Sequence, residues 1–277
     1  DQNNPASSNT IQISASAPSA VSVSVTASTG SVCAGSQVTY TAVPVNGGSL
    51  PAYQWTVNGA NAGTNSAQFI YAPLTGDVVA CELTSNQACI MTNTATGQAP
   101  EVTLIPVSPV SVSISESVNN ICPGTSVDFI ASPVNPGPAP GYQWMVNGTI
   151  AGTNAPDYTY VPQNGDIITC ELSSNLTCTS GNPASSAPLI MNVIANVPVS
   201  VNVTTPTTTV CAETIVTFTA APQNAGTNPE YLWSVNGTVQ GNNSPQFNHV
   251  PANGEAISCQ LTSDLQCTTG NPAQSNS

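Results

Sequence analysis

Lysine and arginine are absent from all 277 residues, against 13 acids and one histidine, for a formal charge of −13. Phosphate backbones are held mainly through those two side chains, so their absence excludes nucleic acid as a partner. A polybasic contact with a membrane surface is excluded for the same reason. Salt bridges to Lys or Arg cannot form inside the chain. Its cohesion must come from apolar burial, backbone ladders and disulfides. Proteases that need a basic residue find no site, and lysine–asparagine isopeptide bonds are impossible. No apolar run approaches the ~18 residues of a membrane helix. With His249 as the only histidine, neither a His-based triad nor a multi-His metal site can be built within the chain. A glycine-rich phosphate loop, paired catalytic carboxylates and a Gly-x-Ser-x-Gly motif are also missing, so the sequence carries no sign of an enzyme and implies no cofactor. There is no initiator Met and no signal peptide, which reads as a start inside a processed or longer product.

What is present is Ser, Thr, Asn and Gln, with 20 Gly, 24 Pro and 40% hydrophobic residues. The apolar residues alternate in short runs, the pattern of half-buried strands, so the chain reads as all-β. Trp55, Trp144 and Trp233 recur every 89 residues, and the nine cysteines keep the same step in three series. These are Cys33, Cys122 and Cys211; Cys81, Cys170 and Cys259; and Cys89, Cys178 and Cys267. A period held without insertion means one small domain copied in tandem. The expected divisions are 1–18, the closing strand of a preceding repeat; 19–107; 108–196; and 197–277, a third repeat lacking its last strand. Asn4-Pro-Ala-Ser-Ser8 matches Asn182-Pro-Ala-Ser-Ser186, which makes Thr10-Ile-Gln-Ile-Ser14 the core of that first strand. Asn271–Ser277 stops where the earlier copy runs Leu189-Ile-Met-Asn-Val193. Two expectations stand: a slice of a longer array, or a strand at 9–17 donated to the third repeat of a neighbouring molecule.

Each copy reads as a Greek-key sandwich of about 90–100 residues. In the first, strand A is Val21–Val25, B Val38–Ala42, C Tyr53–Val57, E Gln68–Tyr71, F Val78–Leu83 and G Val102–Ile105. Asn58-Gly59 is a two-residue hairpin signal, since both positions favour positive φ. Against the immunoglobulin strand-F pattern Asp-x-Ala-x-Tyr-x-Cys, this chain has Asp77-Val-Val-Ala-Cys-Glu-Leu83. Leu83 takes the usual cysteine place and Cys81 the usual tyrosine place, while Ala42 stands thirteen residues before Trp55. Ala42, Trp55 and Leu83 should form the central pin without its disulfide. Ala131, Trp144 and Leu172, then Ala220, Trp233 and Leu261, are the equivalent sets.

Nine cysteines in such a chain point to an oxidising, extracellular setting. Alternation turns Cys81 inward, where it acts as a small hydrophobe. Cys33 precedes strand B and Cys89 follows strand F, at opposite ends of a strand of about eight residues. Such a strand spans roughly 25 Å, beyond the ~7 Å reach of bridged Cα atoms. With almost no linker between copies, the A–B turn of one should meet the F–G loop of the next. Inter-repeat bonds Cys33–Cys178 and Cys122–Cys267 are therefore the first expectation. Intradomain Cys33–Cys81, Cys122–Cys170 and Cys211–Cys259 are the alternative, and Cys33–Cys89 the third.

His249 stands where the siblings have Tyr71 and Tyr160, and reads as a structural residue of strand E. Asp77, Asp166 and Glu255 follow a Gly in the E–F turn, where capping through backbone N–H groups is the plain reading. A weak inter-domain Ca²⁺ site is the alternative, without an Asp-x-Asp-x-Asp-Gly cluster to support it. Sequons at Asn147, Asn175, Asn202, Asn236 and Asn242 are expected by chance in so Asn/Thr-rich a chain.

The combined pattern is Cys-x-Gly (Cys33-Ala-Gly35, Cys122-Pro-Gly124, with Cys211-Ala-Glu213 departing), Tyr-x-Trp-x-Val-Asn-Gly, then Gly-Asp-x-Val-x-Cys-x-Leu-Thr-Ser. It resembles the Ig-like, PKD-like repeats of giant secreted surface adhesins of Bacteroidota, many exported by the type IX system and associated with gliding or adhesion. The resemblance covers essentially the whole chain and is specific to repeat type. It implies a secreted stalk or filament, with further repeats of the same polypeptide, a homo-oligomeric filament and a host or prey surface as partners. Two readings of function follow: a disulfide-stapled structural segment of an extracellular fibre, or a module binding carbohydrate or protein through loops such as Asn46–Pro51 and Asn135–Gly141.

Overall fold

A computed structural model describes residues 8–277. The chain divides into two compact units, one running up to Pro109 and including Leu176–Ser180, the other comprising Val110–Asn175 and Gly181–Ser277. Among the described residues all regular elements are strands.

The first unit holds one sandwich: β1 (Ser22–Ala27), β2 (Ser31–Cys33), β3 (Val38–Val45), β4 (Ala52–Val57), β5 (Ala60–Ala62), β6 (Gln68–Tyr71), β7 (Val79–Thr84), β8 (Thr94–Gln98) and β9 (Thr103–Ile105), followed by β10 (Ser108–Pro109). One sheet has the order β1-β3-β6 and the other β5-β4-β7-β8, the Greek-key arrangement of an Ig-like domain. The alternation of the sequence decides which faces meet. Val23 and Val25 of β1, Val38, Tyr40 and Ala42 of β3, and Val79, Cys81 and Leu83 of β7 are buried. The Ser, Thr and Glu residues between them face out or lie near the surface. Trp55 lies opposite Cys81 in the β4–β7 register. Its ring is fully buried, stacks on Phe69 at 5.5 Å and donates its indole N–H to the Ser66 carbonyl at 2.8 Å. Asn58 and Gly59 both take positive φ, closing the β4–β5 hairpin.

Two strand assignments differ from the sequence reading. Val102–Ile105, expected to close the sheet beside β7, instead runs as β9 parallel to β2. The partner of β7 is β8, a Thr- and Gly-containing stretch whose weak apolar alternation gave no strand signal. Gly97 of β8 lies against the Val23 backbone, leaving no space for a side chain there. The N-terminal segment also departs from expectation: residues 8–18 are irregular apart from a bridge at Ser19, and Ile11 and Ile13 are 78% and 90% exposed. Ladder bonds from a neighbouring strand are what would hold such a segment extended, and none is made by Thr10–Ser14. The Asn4–Ala6 part of the expected closing strand lies outside the described residues.

The second unit repeats the plan twice. Its first sandwich has β11 (Ser111–Glu116), β12 (Val127–Val134), β13 (Gly141–Val146), β14 (Thr149–Ala151), β15 (Asp157–Tyr160) and β16 (Ile167–Ser173). β17 (Thr179–Ser180) belongs to the first unit and runs parallel to β10. β18 (Ala184–Ser185) and β19 (Leu189–Ile190) then close the sheet in two steps, pairing opposite ends of β16. The last sandwich has β20 (Val197–Pro198), β21 (Ser200–Thr204), β22 (Val216–Gln223), β23 (Glu230–Val235), β24 (Thr238–Val239), β25 (Gln246–His249), β26 (Ile257–Thr262), β27 (Thr268–Thr269) and β28 (Ala273–Gln274). Here β28 pairs β26 only at Gln260 and Leu261. Three separate hydrophobic cores result, centred on Trp55, Trp144 and Trp233.

Trp144→Ala should lower the unfolding free energy of its sandwich by ~3–5 kcal/mol, through lost burial, a cavity and the orphaned Ala155 carbonyl it now bonds at 2.9 Å. Guanidinium unfolding followed by hydrogen exchange on residues 110–193 measures this, and a loss under about 1 kcal/mol would remove the tryptophan from its central place.

Candidate functional site: acid-centred turns and disulfide junctions

The E–F turns are the first cluster with any charge. One Asp77 oxygen accepts the Leu74 N–H and the Tyr71 hydroxyl, both at 2.8 Å; the other accepts the Asn58 amide at 2.8 Å. Asn58 in turn accepts the Val78 N–H, so the C–C′ hairpin and the E–F turn are tied through one carboxylate. Asp166 repeats the set with Gln163, Tyr160 and Asn147. In the last sandwich both partners change together. His249 Nε2 lies 2.8 Å from Glu255, which also accepts the Ala252 N–H. The shorter ring is met by a carboxylate one methylene longer. These acids therefore spend their oxygens inside the turn, and among the described residues no group of three or more His, Cys, Asp or Glu is placed to hold a metal.

The Leu74 N–H, with the Tyr71 hydroxyl and Asn58 amide, holds the Asp77 carboxyl below the usual carboxylate range. Burial pushes Asp166 up, but the Gln163 N–H, Asn147 and Tyr160 outweigh it and leave it lowered too. Tyr160 is pushed up to about 12, first by its hydrogen bond to Asp166 and then by burial.

The cysteines fall into three environments. Cys81, Cys170 and Cys259 are free and fully buried, each opposite its tryptophan in register. Burial pushes all three thiols up to about 11. Cys33 is joined to Cys178, with Cα atoms 5.5 Å apart, and Cys122 to Cys267 at 5.1 Å. The alternative pairings Cys33–Cys81, Cys122–Cys170 and Cys211–Cys259 are not formed: strand alternation directs the second cysteine of each into the core, while the first stands outside it on the loop side of strand B. Cys89 and Cys211 are free and exposed.

Backbone geometry presents the bonded sulfurs. In the first unit β2 runs parallel to β9, and the Ser108 N–H donates to the Cys178 carbonyl at 3.0 Å. In the second, the Val197 N–H donates to Cys267 at 2.9 Å, β20 runs parallel to β27, and the Gln266 side chain donates to Asn120 at 3.0 Å. The chain leaving one copy is thus hydrogen-bonded to the F–G loop of the next, beside its disulfide. The pin residues sit as three buried sets: Ala42, Trp55 and Leu83; Ala131, Trp144 and Leu172; Ala220, Trp233 and Leu261. The sequence reading missed the Tyr–Asp and His–Glu pairing. Its signal was available, because both positions change together in the third copy alone.

No protein-family model matches the chain, and no curated protein does. Among solved structures it is similar to one from a study of host cell surface retention by a 1.5-MDa bacterial ice-binding adhesin, at 15% identity and a TM-score of 0.49 over 93% of this chain and 96% of that one. It is also similar to murine CEACAM1b (14% identity, TM-score 0.29, 62% of this chain and 100% of that one). A third is the ectodomain of mouse nectin-like molecule 4 (10% identity, TM-score 0.29, 83% and 93%). Likenesses at this level concern fold, and the chemistry is read from this chain's own side chains.

Two measurements test this chemistry. Before any oxidant is added, a maleimide should label Cys89 and Cys211 rapidly, and Cys81, Cys170 and Cys259 only after denaturation; rapid native labelling of a core thiol would contradict its burial. Because Asp77 and Asp166 titrate lower folded than unfolded, the stability they supply is present above the ordinary carboxylate range, near pH 4, and lost as pH falls through their lowered values. Asp166→Asn should flatten that acid limb for its sandwich in a pH series of denaturant midpoints.

Proposed function

We propose that this chain is a structural segment of an extracellular bacterial adhesin or hook-like surface appendage, a disulfide-stapled repeat array that carries tension. The observation that carries the reading is the order of the two bonds along the chain. Cys122 lies between Cys33 and Cys178, and Cys178 between Cys122 and Cys267. The bonds interleave rather than follow one another. Three chain stretches, 33–122, 122–178 and 178–267, then connect the two cross-links in parallel, and a pull on the ends is limited by the shortest, 56 residues. No fold needs to survive for that limit to hold, since it is covalent.

Composition supports the same reading. A chain without Lys or Arg offers nothing to basic-specific proteases, and its disulfides suit an oxidising, extracellular place. The motif likeness to Bacteroidota surface adhesins suggests type IX export and a homo-oligomeric filament that engages a host or prey surface. The alternative, a carbohydrate- or protein-binding module that uses inter-strand loops, is what glycan-array binding by the chain would favour.

Single-molecule force spectroscopy tests the mechanical role. Oxidised chains pulled from their termini should never release the 178 residues hidden behind the interleaved bonds. Reduction should add that length, roughly 620 Å at ~3.5 Å per residue. Cys33→Ser should leave 145 residues hidden by the remaining bond. Full extension without reductant would overturn the reading.

A further inference from the structure

The last sandwich carries a groove of about 990 Å³ lined by Val203, Val210, Val216, Phe218 and Ile257, with Cys211 at its rim. In the preceding sandwich the same place is filled. Met191 is buried there, its N–H donating to the Asp166 carbonyl and its carbonyl accepting the Gly165 N–H. The strand continues through Asn192 and Ile194, which bond Ile121 on the other side. In the first sandwich Val102 fills the place. Phe218 shows the consequence: its counterpart Phe129 is fully buried, whereas Phe218 is only partly so. The groove therefore presents Gly254, Glu255 and Val210 where its sibling binds a strand through Gly165, Asp166 and Ile121.

We propose that this groove accepts Thr10–Ser16 from a second copy of the chain, and that Cys211 then bonds Cys89 of that copy. The repeat register identifies the occupant. Ile11, Ile13 and Ala15 stand where Leu189, Met191 and Val193 do, counted from the shared Asn-Pro-Ala-Ser-Ser. Ile11 and Ile13 are exposed, so the donated strand brings two apolar side chains from water into an apolar slot. Ile13 enters the Met191 place, its N–H on Glu255 and its carbonyl on Gly254.

The free thiols give an independent fix on the same register. Sliding a second copy by three repeats, which sets Ile13 in the groove, also sets its Cys89 145 positions beyond Cys211, the separation of both bonds already formed. Local geometry agrees at both ends. Cys89 accepts the Ser19 N–H at 2.9 Å and has φ 56°, as Cys267 accepts Val197 and has φ 58°. Cys211 accepts the Thr214 N–H at 3.3 Å, as Cys33 accepts Ser36 and Cys122 accepts Thr125. Bond formation needs an oxidant, supplied by a small disulfide such as oxidised glutathione. The two thiols lose two protons and two electrons, one S–S bond forms, and two glutathione thiols are released. Because donor and acceptor surfaces differ, the contact is head-to-tail and propagates.

This inference deepens the structural reading by naming the partner, and it fails separately from it. The test is sedimentation of the 277-residue chain from micromolar to millimolar concentration, then oxidation with glutathione disulfide. The expected result is concentration-dependent association and a non-reducing gel ladder in steps of 28.0 kDa, with peptide mapping that joins residue 89 to residue 211. Ile13→Asp, at an exposed position, should abolish both association and ladder. Cys89→Ser should abolish the ladder and leave association. A chain monomeric throughout, or symmetric Cys89–Cys89 and Cys211–Cys211 links, would overturn the proposal. If such a monomer still hid its 178 residues under force, the mechanical role would stand without it.

Discussion

Each sandwich is organised by a tryptophan that must be desolvated on both faces while its one N–H stays bonded. The fold meets both demands locally. The ring lies between the sheets against a core cysteine, and the N–H reaches a carbonyl eleven residues on, in all three copies. That bond draws the loop before strand E across the ring and fixes the aromatic neighbour, Phe69, Tyr158 or Phe247, at 5.5–5.7 Å. Once the two sheets are locked at this depth, the ends of the strands are positioned, and with them the cysteines. The disulfides are thus downstream of the pin: without a fixed spacing between strand B and strand F, Cys122 and Cys267 would not be held within bonding distance.

The absence of cations changes how polar groups are satisfied. The 13 acids have no Lys or Arg to face, and among the described residues the single ion pair is His249–Glu255. Side-chain amides and hydroxyls take over. Asn46, Asn58, Ser85 and Asn86 each bond backbone groups of a neighbouring loop, and no buried side-chain N or O among the described residues lacks a partner. Hydrogen bonds of this kind are far less sensitive to salt than exposed ion pairs, which are screened within about 10 Å at 0.1 M. A surface array in water of changing ionic strength gains from that.

Much of this was legible in the sequence, and the failures have physical causes. The tryptophan and cysteine period gave the copies; the Val-x-Val and Val-x-Cys-x-Leu alternations gave the strands that carry the core, because one buried face imposes period two. Strand β8 escaped because Gly97 is needed where the chain crosses Val23, and a Thr-Gly stretch has no apolar face to betray it. Val102–Ile105 was assigned to the right place and the wrong partner, since alternation reports burial and not which neighbour supplies the hydrogen bonds. The acid turns were read as simple caps because a single copy shows only a Gly-Asp pair; the exchange of Tyr–Asp for His–Glu shows that the ring belongs to the same unit.

The placement of sulfur in this chain differs from that of an antibody domain in a way that bears on mechanics. There, a bond across the core joins strands B and F, so it protects one domain and leaves the connections between domains extensible. Here those two places are Ala42 and Leu83 and their repeats, packed without covalent help. The oxidised pairs stand instead where one copy meets the next in sequence. Every copy has one cysteine at each of two different loops, and each bond uses one of either kind. Such pairing has a direction along the chain, and two successive bonds necessarily interleave, because 145 residues exceed one 89-residue step and fall short of two. The overlap needs no further device: it follows from the position of two cysteines within a repeat. A core bond would make each domain harder to unfold. A junction bond that spans more than one period makes unfolding matter less, since the array keeps its length after its sheets have come apart.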